Sequence, residues 1–318
     1  MAKKLAVGID LGGTLTKVGI VDREGDLINN LEFPTRDHKS IESFLEETKN
    51  KIEAIKKEIK GDYELVGIGV GAPNANAFRG TIEYAANLVW KGVVPFVELF
   101  RKHYDLPIHM TNDANAAAIG EMIYGNAKGM KDFIVITLGT GLGSGIVSNG
   151  QLIYGHDAMA GELGHTMIKE GGRVCGTGRR GCLEAYVSST GIKRTVFYLL
   201  ADMMDDSELR DYSFNELHGE NITKAAENGD PIAQEAFRMT GEILGKQLAN
   251  FVSFSHPESI FLLGGLAKSG KWIFEPTEKY LKENLLPFYK DKVSLEPSGM
   301  MKKNAAILGA AALVWNQS

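Results

Sequence analysis

Two glycine turns in this sequence could bring backbone up to a phosphate. Gly12-Gly13-Thr14 follows an apolar run that ends on Asp10. Thr140-Gly141 opens a glycine-rich stretch after the apolar run Phe133–Leu138. Without a Cβ, the chain can approach an anion closely and aim several N–H groups at it. Each threonine hydroxyl adds a donor, and Asp10 stands where a strand end can reach a hydrated Mg²⁺. Taken singly, either turn reads better as a plain hairpin turn. Two turns with matching chemistry point to a nucleotide. The competing phosphate motifs are absent: there is no G-x-x-x-x-G-K-[S/T] loop, and Gly139–Gly145 spaces its glycines as G-x-G-x-G-x-G rather than G-x-G-x-x-G. The protein-kinase signatures His-Arg-Asp and Asp-Phe-Gly are missing too.

A second group of residues could handle hydroxyls. Asn112-Asp113 opens an alanine-rich run. A carboxylate there can take the proton from a hydroxyl as it attacks a γ-phosphate. The same dipeptide is an ordinary helix start, and both roles are compatible because a helix N-terminus favours the ionised aspartate. Glu162 and His165 lie three residues apart among Gly161 and Gly164, an acid and an imidazole able to bind adjacent sugar hydroxyls. A lone Glu-x-x-His is more commonly a surface acid and a satisfied histidine. Glu184 reads equally as a solvated helix residue, and Asn87 as a turn asparagine. None of these residues carries a function by itself.

The elements that must position them are legible as periodicity. Residues 4–10, 16–21 and 26–33 read as strands punctuated by Gly12-Gly13 and Glu24-Gly25. An amphipathic helix begins near Ser40, with Ile41, Phe44, Leu45, Ile52, Ile55 and Ile59 on one face, and Gly61 is placed to end it. Strands at 65–70 and 107–110 and helices at 95–104 and 113–124 complete a first cycle. A second begins with the strand 133–138 and continues through a hairpin around Asn149-Gly150. Residues 155–188 read as irregular, 189–256 as mostly helical with its clearest helix from Pro231 to about Phe254, 259–263 as a strand ahead of Gly264-Gly265, and 303–315 as an apolar helix. Both cycles share the order strand, glycine-threonine turn, strand, which suggests two related α/β lobes facing each other.

Composition narrows the class. The 318 residues suggest two lobes around a cleft. Lys+Arg 35 against Asp+Glu 40 gives a net charge of −5, so no nucleic-acid partner is expected. No apolar run reaches the ~20 residues of a membrane span, and no secretory leader pattern is present. No membrane partner is expected, and the cytoplasm is the simplest location. Cys175 and Cys182 are the only cysteines, too few for a disulfide framework.

Together these residues resemble the ROK family (repressors, open reading frames and kinases), and within it the bacterial glucokinases. The likeness runs from Gly8 to the last helix. It is most specific from Leu138 to His165, with Gly141-Leu142-Gly143-Ser144-Gly145-Ile146, Gly155, Gly161 and Gly164-His165, and again at Gly178–Glu184. The resemblance implies a two-lobed actin-like (ribonuclease H-like) ATPase fold with a central cleft. Residues 1–115 plus 302–318 would form one lobe and 116–301 the other. Asp10, Gly12, Gly13, Thr14, Thr140 and Gly141 would hold ATP phosphates and Mg²⁺, with Gly264 and Gly265 on the adenosine side. Asp113 would be the general base. Asn87, Asn112, Asp113, Glu162, His165 and Glu184 would bind the sugar, which is expected to be glucose phosphorylated at its 6-hydroxyl. N-acetylglucosamine, N-acetylmannosamine, mannose and fructose are the alternatives, and a homodimer is expected.

Regulators of the family carry a helix-turn-helix domain ahead of the first turn. Only seven residues precede Gly8, so a kinase is expected rather than a regulator. Two departures stand out. The family's zinc segment Cys-x-Cys-Gly-x-x-Gly-Cys has Thr177 at its middle cysteine, leaving His165, Cys175 and Cys182 as the zinc ligands the resemblance implies, the alternative being two free thiols in a metal-free loop. Gly-Ala-Pro-Asn-Ala-Asn at 71–76 replaces the commoner Gly-Ala-Pro-Gly-Pro-Val beside the sugar.

Overall fold

The computed structural model describes residues 2–316. Its first part contains β1 (Lys3–Leu11), β2 (Leu15–Asp22), β3 (Leu27–Pro34), α1 (Ile41–Glu58), β4 (Tyr63–Gly71), the short β5 (Ala75–Asn76), β6 (Thr81–Glu83) and β7 (Val93–Val94), α2 (Phe96–Phe100), β8 (Ile108–Thr111) and α3 (Asp113–Tyr124). The second contains β9 (Phe133–Leu138), β10 (Leu142–Ser148), β11 (Gln151–Leu152), α4 (Ser189–Asp202), α5 (Gly219–Glu227), α6 (Pro231–Ser255), β12 (Ser259–Leu263), α7 (Lys271–Asn284), β13 (Ser294–Pro297) and α8 (Ala305–Trp315).

The two main sheets repeat one plan. Their strand orders are β3-β2-β1-β4-β8 and β11-β10-β9-β12-β13. In each, successive strands pair antiparallel on one side of the central strand and parallel on the other. The turn between β1 and β2 and the turn between β9 and β10 therefore occupy equivalent places. These are the two glycine turns singled out in the sequence. The central strands are apolar and buried, as strands covered on both faces must be. β5, β6 and β7 form a separate three-stranded sheet, order β5-β6-β7.

Helix α1 starts where Ser40 accepts a hydrogen bond from the Ser43 amide at 3.2 Å, and it buries Phe44, Leu45, Ile52 and Ile55. It stops at Ile59, and Gly61 turns the chain two residues later at φ +85°. Helix α2 is shorter than the sequence suggests: residues 101–103 turn instead of continuing it, because the chain must reach the strand β8.

Helices α3 and α8 join the two halves. Every residue of α8 from Ile307 to Trp315 is buried. It packs on β1, β4 and α3, and the approach to α3 is so close that a Cβ on Gly309 would lie 2.7 Å from the Ala116 carbonyl. The other side of α3 lies on β9 and β10. Its fully buried Glu121 accepts hydrogen bonds from the Asn126 amide (2.7 Å), the Gly299 amide (2.8 Å) and the Ser298 hydroxyl. A buried carboxylate satisfied in this way pins the end of α3 to the segment leading into α8.

Candidate active site

A cavity of about 700 Å³ opens between the two sheets. Asp10, Gly12, Gly13, Asn87, Asn112, Asp113, Gly139, Thr140, Gly141, Glu162, His165, Glu184, Gly264 and Gly265 line it. Thr14 is exposed at the tip of its turn and does not line the cavity; its carbonyl accepts from the Thr35 amide at 2.9 Å.

The nucleotide-side turns are held by backbone contacts. Gly12 donates to the Leu15 carbonyl at 3.2 Å, and Arg36 Nε donates to the Gly13 carbonyl at 3.2 Å. Gly13 lies against Asn87, whose carbonyl would be 2.7 Å from an added Cβ. Across the cavity, Gly139 donates to the Gly141 carbonyl at 3.0 Å. Gly264 has φ +105°, and a Cβ there would meet the Leu138 carbonyl at 2.6 Å. Only glycine suits both the conformation and the space. Lys268 and Lys303 also line this wall; sequence reading missed both, although Lys268 stands four residues past Gly264.

On the hydroxyl side, Asn112 caps α3 by accepting from the Ala114 amide at 2.9 Å, and the Asp113 carboxylate accepts from the same amide at 2.8 Å. Asp113 touches the water of the cleft but is surrounded by protein at longer range. That removal of bulk solvent raises its pKa, against the lowering effect of the Ala114 and Asp113 amides. Asp10 is pushed up to about 6, by burial first and then by the charge of Asp113, with Lys17 opposing. Burial likewise raises Glu162, with His165 opposing and Asp113 and Glu184 adding to the rise. Three acids thus share one cleft, an arrangement that favours a bound cation or a proton-accepting role.

Glu162 Oε2 and His165 Nε2 are 3.8 Å apart. Glu184 accepts hydrogen bonds from the Leu142 amide at 3.1 Å and the Gly176 amide at 3.3 Å. Ser144, which sequence reading quoted only as part of the glycine run, accepts from the Leu163 amide at 3.2 Å and donates to the Gly161 carbonyl. It fixes the segment carrying Glu162 and His165.

His165, Cys175 and Cys182 converge, their ligand atoms all lying within 4.8 Å of one another. The two sulfurs are 3.3 Å apart, and Thr177 Oγ1 is 3.0 Å from Cys175 Sγ. Burial raises the Cys175 thiol, but its contacts with Thr177 and Cys182 and the nearby His165 ring outweigh it and bring the pKa down to about 7. His165 Nδ1 is buried with no hydrogen-bond partner. An orphaned ring nitrogen beside two thiols fits a soft divalent metal such as zinc in donor type.

Two equivalent sheets, each presenting a glycine turn to one acidic cleft, define a two-lobed actin-like ATPase fold. The ROK family model matches residues 6–317, and the chain belongs to the ROK family. A glucokinase from Halalkalibacterium halodurans is 33% identical, over 100% of this chain and 97% of its own length. A ROK family glucokinase from Streptomyces griseus, solved with glucose and AMPPNP, superposes with a TM-score of 0.82 at 30% identity, covering 97% of this chain and 98% of that one. A xylose repressor from Caldicellulosiruptor bescii is 28% identical over 97% of this chain but 77% of its own length.

Proposed function

We propose that the chain is an ATP-dependent hexokinase that transfers the γ-phosphoryl group of ATP to the 6-hydroxyl of glucose. The observation that carries this reading is the single cavity lined by both glycine turns, Asp113 and the Glu162–His165–Glu184 set. The similarity to glucokinases over the full chain supports the same substrates.

In this reading Glu162, His165, Glu184 and Asn112 hold the sugar hydroxyls, with Asn87 at the rim. Asp113 accepts the proton of the 6-hydroxyl as its oxygen forms the new bond to phosphorus and ADP departs. Its raised pKa brings it closer to that task than an ordinary aspartate. Gly12, Gly13, Thr140 and Gly141 cradle the phosphates, with Thr14 outside the cavity at the tip of its turn, and Gly264 and Gly265 face the adenosine. Asp10 would hold Mg²⁺, because a hard oxygen donor with its charge raised in energy by burial and Asp113 suits a hard cation. Bound Mg²⁺ spreads the charge of the transferring phosphoryl group.

Zinc would be held by His165, Cys175 and Cys182, with Thr177 in the fourth place. It would supply no reacting group. Its part would be to fix the His165 ring and the loop leading to Glu184.

We also propose the lobe division 1–115 plus 302–318 and 116–301, and a homodimer, which sedimentation would check. Among the described residues no helix is long and apolar enough to cross a membrane, in keeping with a cytoplasmic location.

An ADP-release assay over a panel of hexoses tests the activity. Glucose is expected to give the highest kcat/KM, with mannose and glucosamine weaker, because unpaired buried polar groups penalise a misfit sugar. A higher value for N-acetylglucosamine would move the assignment to an amino-sugar kinase. No ADP with any hexose would overturn the kinase reading.

A further inference from the structure

One set of contacts beside the sugar side of the cleft has no part in the reaction described above. Asn76 ends β5 and is fully buried. Its Oδ1 accepts from the Phe78 amide at 3.0 Å and the Arg79 amide at 3.1 Å, and its carbonyl accepts from the Gly80 amide at 2.9 Å. Those bonds shape the 76–80 turn. The Nδ2 group points away from the turn and donates to the Asp157 carbonyl at 3.0 Å. Arg79 bridges Glu83, at 2.8 and 3.0 Å, and the Asp157 carboxylate, where Nη2 to Oδ2 is 3.1 Å and Nη1 also bonds Oδ1. The Phe78 ring packs on Tyr154 with centroids 5.6 Å apart. Three residues of one turn therefore reach a single loop, Tyr154–Asp157, that follows β11 in the opposite half.

That loop leads into Glu162 and His165. The Ala160 amide donates to the Tyr154 carbonyl at 3.1 Å, closing the loop on itself. Ser144 then holds Gly161 and Leu163. Glu162 is thus fixed from two directions: by Ser144 from the second sheet, and through Tyr154–Asp157 by the turn of the first half. Pro73 and Asn74, just ahead of Asn76, line the cavity together with Ala160 and Glu162.

We propose that Asn76 and Arg79, with Phe78, are positioning residues for the sugar site: they clamp the loop that carries Glu162 to the wall formed by Pro73 and Asn74. The inference rests on the reading of Glu162 and His165 as sugar ligands. Asn76 supplies most of the effect. Arg79 and Asp157 are 46% and 53% exposed, and an exposed ion pair contributes little by itself. Asn76 is buried, and losing its side chain strands two amides and a carbonyl. Of these residues Asn76 falls in the 71–76 segment, which reads Gly-Ala-Pro-Asn-Ala-Asn.

Steady-state kinetics in both substrates test the proposal, using the full chain with Asn76→Ala, Asp157→Ala and Asp157→Glu. Asn76→Ala is expected to raise the glucose KM about 10-fold, the scale of a small misplacement remote from the reacting atoms. The ATP KM and kcat should stay within about twofold. Asp157→Ala should raise the glucose KM about threefold, Asp157→Glu less, and calorimetric glucose affinities should follow the same order. An unchanged glucose KM in folded Asn76→Ala, or an equal rise in the ATP KM, overturns the clamp. If Asn76→Ala does not fold, the exposed Asp157→Ala decides: unchanged glucose KM and affinity there overturn it as well. The wild-type protein's own turnover separates the two readings. A protein that phosphorylates a different hexose shifts the substrate while the clamp is tested with that hexose, and one that phosphorylates none removes both.

Discussion

Glu184 Oε2 accepts a hydrogen bond from the Leu142 backbone amide at 3.1 Å, which ties a sugar-side acid to the end of the second glycine turn. The contact is tight: a Cβ on Gly141 would collide with the same carboxylate. Glu184 therefore braces the turn as well as facing the cleft. Glu184→Gln is expected to raise the KM for both glucose and ATP, by about 3–10-fold each, since of its two amide bonds, from Leu142 and Gly176, one becomes neutral and the other loses its acceptor. Glu162→Gln should raise the glucose KM alone. A Glu184→Gln variant with an unchanged ATP KM would count against the brace.

Asp113 gives the sharpest kinetic test. Asp113→Asn keeps an acceptor for the Ala114 amide at the start of α3, so the fold should persist. Turnover is expected to fall by about 10²–10⁴-fold while glucose affinity changes little. Near-wild-type turnover in the folded variant would end the assignment of Asp113 as the base.

Asp10 links function to stability. Its pKa rises on folding from 3.8 to about 6. A carboxyl with a raised folded pKa favours the folded state fully below its unfolded pKa, and that advantage is lost as pH rises through the folded value. At neutral pH the cost of the ionised group reaches up to about 3 kcal/mol. Asp10→Asn should therefore make the nucleotide-free protein more stable at neutral pH while abolishing turnover, and the gain should vanish below about pH 4. Denaturant titrations at the two pH values check this; a variant less stable than wild type at neutral pH would refute it.

Much of this site was visible in the sequence because its parts lie at the ends of strongly patterned elements. β9 and β12 are mainly apolar runs stopped by glycine, and α3 begins at Asn112-Asp113, so Asp113, Gly139 and Gly264 could be placed from pattern alone. The small sheet escaped, since strands of two or three residues such as Ala75–Asn76 and Val93–Val94 are too short to show alternation. α7 escaped because Pro276 interrupts it, although Ile273, Thr277 and Leu281 mark its buried face. The contact between Asn76 and Asp157 spans 81 positions; no local signal encodes it, and only the assembled fold brings the two together.

Zinc affinity should reflect Thr177. A neutral hydroxyl beside Cys175 is a poorer ligand than a thiolate, so metal should bind more weakly here than in relatives with the full cysteine motif. Thr177→Cys is expected to raise the zinc affinity measured by chelator competition. In the wild-type protein, removing bound zinc should raise the glucose KM, because the His165 ring loses a support. Protein that is zinc-free as purified yet fully active would remove the metal while leaving the kinase assignment intact.

The placement of α8 has a consequence for how the protein is made. The face of the first sheet that α8 covers includes Gly8 and Gly69, which the helix backbone approaches so closely that a Cβ on either would collide with it. β1, β4 and β8 are complete once Thr111 is made, but their covering helix begins only at Ala305. At the usual ~5–20 residues per second, that interval lasts on the order of 10–40 s on the ribosome. During it, Ala6 and Val21 lack the partners Ile307, Leu308 and Val314 with which they share a buried cluster. The earliest strands to leave the ribosome therefore wait longest for their last helix, and nascent chains stalled between α3 and α8 should be the form that chaperones bind most strongly.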